Sequence, residues 1–133
     1  MSITITLSDQ DKAIVRTAAY GAVSLLAAAS AKPHKVATAG STALYSATGA
    51  VGHVLAAKSK DIKLPGKTVA ALADQVLPAL AAAVSLLEQQ DPAEADNFRG
   101  IVAVALETAQ AQGAPSPTLA EMIRKITAAL DAA

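Results

Sequence analysis

The chain has 133 residues, no cysteine, no tryptophan, two histidines and a formal net charge of zero. That length supports one domain, residues 1–133, with a core that needs no covalent staples, and the lack of cysteine excludes disulfides, thiolate metal sites and cysteine nucleophiles. With 34 alanines and only Tyr20, Tyr45 and Phe98 as aromatics, the composition favours helix over strand and speaks against nucleic acid, whose single strands are held on aromatic stacking platforms.

Residues 2–7, S-I-T-I-T-L, alternate polar and apolar, which predicts a short extended arm over residues 1–7. One strand is not stable alone, so the arm must dock on the helices or pair with a second copy. The N-terminus lacks a basic stretch followed by an apolar one, so no secretory signal is expected and the cytoplasm is the expected compartment. Ser8-Asp9-Gln10-Asp11 signals a helix start with acids in the first turn. The first helix is predicted over Asp9 to Ala31 and, being apolar or small on all sides after Thr17, as the central one. Lys32-Pro33 stops it.

The second helix is predicted over His34 to Lys58, weakened by Gly40, Gly49 and Gly52, with a break near T-G-A-V-G. Residues 58–69, K-S-K-D-I-K-L-P-G-K-T-V, contain a G-K-T that invites a phosphate-loop reading. Such a loop needs a glycine five residues before Gly66, and Asp61 stands there with a charge that repels phosphate. The stretch reads instead as a basic loop, 59–67, turned by Pro65-Gly66 and closed by Thr68 as a helix cap. Lys58, Lys60, Lys63 and Lys67 form its positive pole and are candidate partner contacts.

The third helix, Thr68 to Gln90, carries Val69, Ala73, Val76, Leu80, Ala83 and Leu87 in alternating steps of four and three. That is the spacing of a coiled-coil seam. It makes Val76, Leu80 and Leu87 both core residues and candidate partner contacts. Pro78 lies inside and is expected to kink the helix or end it early. Asp91-Pro92 with Glu94 three residues past the cap starts a fourth helix, which runs to Gln112 and presents Ala95, Phe98, Val102, Ala105 and Ala109 on one face. Ser116-Pro117 starts a shorter fifth, striped by Leu119, Met122, Ile123, Ile126 and Leu130, with Glu121 and Lys125 spaced to pair. The expected architecture is an all-α, up-down-up-down bundle of four long helices plus the shorter C-terminal fifth. Leu25, Leu26, Val76, Leu80, Leu87, Phe98, Val102, Ile123 and Ile126 are its expected core.

No reactive constellation emerges. The chain has no E-x-x-H and no G-x-S-x-G, which carrier bundles of metal carboxylates and serine hydrolases respectively require. His34 and His53 are 19 residues apart, too far along a helix to share a metal, and His53 is expected to be partly buried. Asp96 and Glu107 would lie about 16 Å apart on one helix, too far for a catalytic carboxylate pair. No cofactor or metal is expected and enzymatic activity is disfavoured. The reading that remains is a small binding or scaffold protein that works through helix-on-helix contact and forms a homodimer. Charge supports association: residues 32–67 carry a balance of +5 and residues 68–133 one of −5. The alternative is membrane association, either through a hairpin over 17–57, where residues 17–31 and 36–57 are uncharged, or through the lysines of 58–67 on anionic lipid.

Overall fold

A computed structural model describes residues 7–56, 68–113 and 116–132. The regular structure among them is helical throughout: α1 (Asp9–Ala28), α2 (Pro33–Tyr45), α3 (Gly49–Ala56), α4 (Val69–Gln90), α5 (Pro92–Gln112) and α6 (Pro117–Asp131). The helix starts follow the capping chemistry read from the sequence. Ser8 and Asp11 form a reciprocal capping box, and the hydroxyls of Thr68 and Ser116 accept from the N–H groups of Ala71 and Leu119. Asp91 accepts from Ala93 N–H, with Pro92 at the first helical position. The extended arm falls almost wholly outside the described residues; of its seven positions only Leu7 is placed, packed against the core.

The long helices pack as a bundle. α1 lies chiefly on α4 and α2, α2 on α5, and α4 also on α5 and α6. The predicted core holds: Leu25, Leu26, Val76, Leu80, Leu87, Phe98, Val102 and Ile126 are buried, while Ile123 packs partly buried against them. Alanine sets the spacing. Ala18, Ala19 and Ala22 on α1 and Ala83 on α4 have no exposed surface, so neighbouring backbones come close where they meet. Gly40 carries this furthest, since a Cβ there would sit 2.7 Å from Val23 Cγ1.

Four details bear on the sequence expectation. α1 stops at Ala28, three residues short of Ala31. The second helix is divided into α2 and α3, with α3 starting at Gly49, where the break near T-G-A-V-G was expected. Thr42 and Ser46 hydroxyls donate back to the carbonyls of Thr38 and Thr42, an arrangement that loosens a helix, and the chain then turns through Gly49 at φ +84°. Pro78, by contrast, does not end α4, which continues to Gln90. On α6, Glu121 takes Arg124 as its ion-pair partner rather than Lys125.

Candidate functional site

The seam on α4 closes inside one chain. Val76, Leu80 and Leu87 have zero exposure, so as they stand they offer no surface to a partner. Their seam role is correct and its direction is inward, because α1, α5 and α6 already supply the apolar faces that cover it. Lys58, Lys60, Lys63 and Lys67 lie outside the described residues.

His34 is an exposed residue in the first turn of α2, as expected, whereas His53 is exposed on α3 and not partly buried. Among the described residues no three His, Asp or Glu side chains converge as metal ligands. Asp96 and Glu107 are both exposed, and Asp96 is held by Arg99 at 2.7 Å. Arg99 also meets Glu88 at 3.2 Å and donates from Nε to the Leu130 carbonyl, tying α4, α5 and α6 together. Among the described residues one helix, Val69–Gln90, is long and apolar enough to cross a membrane by length and composition. The uncharged run 36–57 is not one helix, since α2 and α3 have 13 and 8 residues, each short of the roughly 20 a span needs.

The polar side chains that do converge are gathered around α3. At its start, the Val51 N–H donates to Glu94 Oε1 at 2.9 Å. Asn97 Nδ2 donates both to that oxygen, at 3.3 Å, and to the Thr48 carbonyl, at 3.0 Å. At its end, Arg16 Nε donates to the Val54 carbonyl and the Tyr20 hydroxyl to that of Leu55. A carboxylate therefore meets the helix N-terminus and a guanidinium its C-terminus, both favourable for the helix dipole. An eight-residue helix is too short to persist alone; side chains from α1 and α5 hold it. Gly49 is fixed by this clamp, since its φ is positive and a Cβ would lie 2.6 Å from Asn97 Nδ2. Burial pushes the Tyr20 hydroxyl up to about 12, helped by the neighbouring Tyr45 and opposed by Arg16. Sequence reasoning took Glu94 for a cap of its own helix. The signal missed was the acid's other neighbour, a glycine-rich break 43 residues earlier.

Beside this clamp an open groove of about 400 Å³ runs between the end of α2 and the outer side of α5. Ala43, Ala47, Gly100, Ile101 and Val104 line it together with the polar Ser46, Thr48 and Asn97. Val104 is 57 % exposed and, with Tyr45, is one of the two large apolar residues standing in solvent among those described. Tyr45 has a neighbour in the Tyr20 ring, 5.7 Å away between centroids. Gly100 is the unexplained residue. It sits in the middle of a 21-residue helix, where glycine costs about 1 kcal/mol relative to alanine, and a Cβ added there would meet nothing within 4 Å. Gly40, Gly49 and Gly52 are each required by the chain's own packing or backbone; Gly100 is not. A second hollow of about 400 Å³, at the other end of the same pair of helices, is lined by His34, Lys35, Thr38 and Gln112.

No protein family, no characterised protein and no solved structure matches this chain.

Proposed function

We propose that the chain is a non-enzymatic binding or scaffold protein that acts through helix-on-helix contact and associates with a copy of itself. The observation that carries this reading is the α2–α5 groove, where an exposed valine stands one turn from a mid-helix glycine that the chain's own packing does not need. A glycine with open space around it lets another backbone approach closely, and an exposed valine gains from being covered. Among the described residues, the polar side chains that meet in the interior are engaged with helix ends, which suits a structural part.

Sedimentation velocity over a dilution series from about 1 to 100 μM tests the self-association. The expected result is a concentration-dependent species of twice the 13.3 kDa chain mass. A single 13.3 kDa species across the whole series overturns it.

A further inference from the structure

Among the described residues the buried charged side chains are Arg16 and Glu94. They stand on different helices, α1 and α5, and each is committed to the main chain of α3: the guanidinium donates to the Val54 carbonyl, and the carboxylate accepts from the Val51 N–H. Tyr20 and Asn97, from the same two helices, donate to the Leu55 and Thr48 carbonyls. The charge buried in this part of the core is thus gathered at one short element.

Docking α3 sets large terms against one another. Val51, Val54 and Leu55 leave water, which favours docking. Against it stand the ordering of eight residues that would not hold a helix alone and the removal of a carboxylate and a guanidinium from water. Lifting α3 reverses both costs at once. The bundle does not depend on it: α1 packs on α4 and α2, α2 on α5, and α4 on α5 and α6, none of them through α3. α3 is also separate from α2, which ends at Tyr45. The chain between them turns through residues 46–48 and Gly49 at φ +84°, so α3 can leave without unwinding α2.

We infer that α3 is a strap that lifts from α1 and α5 as one unit while α1, α2, α4, α5 and α6 stay packed. The lifted state presents a surface that the closed chain hides. Arg16 and Glu94 then meet water beside the aliphatic positions that Val51, Val54 and Leu55 cover. Such sub-global opening, in a contiguous cooperative unit, lies below global unfolding in free energy.

The chain has no cysteine, so a single buried thiol reports the opening of the helix that carries it. Val51→Cys and Val54→Cys place one on α3, and Val84→Cys places one on α4, all three at buried sites. Each variant is treated with a thiol reagent over a series of low urea concentrations, and its urea midpoint is measured so that its own rate of global opening is known. Amide exchange of the unmodified chain is followed alongside. Val51→Cys and Val54→Cys are expected to react at a common rate, at least about tenfold faster than Val84→Cys, with little urea dependence. Val84→Cys should follow global unfolding, and amides of α3 should exchange ahead of those of α4 in the unmodified chain. Reaction of the α3 thiols in step with Val84→Cys, matched by equal amide protection of α3 and α4, would show that α3 opens only with the whole bundle and would overturn the inference. Unequal rates at Val51→Cys and Val54→Cys would also overturn it, since they would mean fraying rather than a unit.

Discussion

The inner seam of α4 and the outer seam of α5 share one spacing, yet one lies in the core and the other in solvent. Val69, Ala73, Val76, Leu80, Ala83 and Leu87 repeat in steps of four and three, and the last four are fully buried. Ala93, Asn97, Gly100, Val104, Glu107 and Ala111 repeat identically and are almost all exposed. Periodicity therefore says which residues share a face, and side-chain volume says what the face does. Valines and leucines remove enough apolar surface from water to hold helices together within one chain. Two alanines, a glycine, an asparagine, a glutamate and one valine cannot, so this stripe stays on the surface.

The contrast can be broken at its strongest point first. Leu80→Ala leaves a void among fully buried neighbours and is expected to lower stability by about 2–5 kcal/mol, read from urea midpoints. A loss below about 1 kcal/mol would mean that the α4 seam is not the core.

Glu94→Ala removes the acceptor of the buried Val51 N–H. The expected cost is about 1–3 kcal/mol, with faster amide exchange confined to α3. Glu94→Gln, which keeps an acceptor, should recover part of the loss. Uniform exchange across all helices in the Ala variant would contradict the clamp.

Alkaline pH sharpens the same region. The Tyr20 hydroxyl ionises near 10 in an unfolded chain and near 12 in the folded one, so between these values the unfolded state has released a proton that the folded state retains. Stability is therefore complete below about pH 10 and declines as pH rises towards 12. Tyr20→Phe lowers stability at neutral pH by losing the bond to the Leu55 carbonyl, and its difference from the unmodified chain should shrink over that interval. A constant difference would rule out Tyr20 as the source.

The smallest effect is expected on the outer stripe. Gly100→Ala, with nothing within 4 Å of the new methyl group, should raise the stability of the isolated chain by about 0.5–1 kcal/mol. A loss would mean that the glycine serves the monomer after all.

The inner half of this picture was legible in the sequence because it is local. Caps at Ser8, Thr68, Asp91 and Ser116 depend on residues two or three positions away, and the core stripes on a 3.6-residue period. The glycines of T-G-A-V-G marked the break in the second helix, but not that α2 ends as early as Tyr45. Its break is enforced by Glu94 and Asn97, more than 40 positions later, a separation no local pattern carries. Pro78 does not end α4 early for the converse reason: Val76 and Leu80 on either side of it are buried in the core and carry the helix past the local preference. The α5 groove left no apolar signature, and nothing in the local pattern distinguishes Gly100, whose open surroundings only the packing shows.

Circular dichroism of Leu80→Asp and Val104→Asp, melted side by side at low micromolar concentration, tests the division between the two seams most directly. The expected result is that Leu80→Asp, which puts a charge among buried aliphatic side chains, loses its helical signal at room temperature, while Val104→Asp keeps it and melts cooperatively. A folded, cooperative Leu80→Asp beside an unfolded Val104→Asp would contradict it.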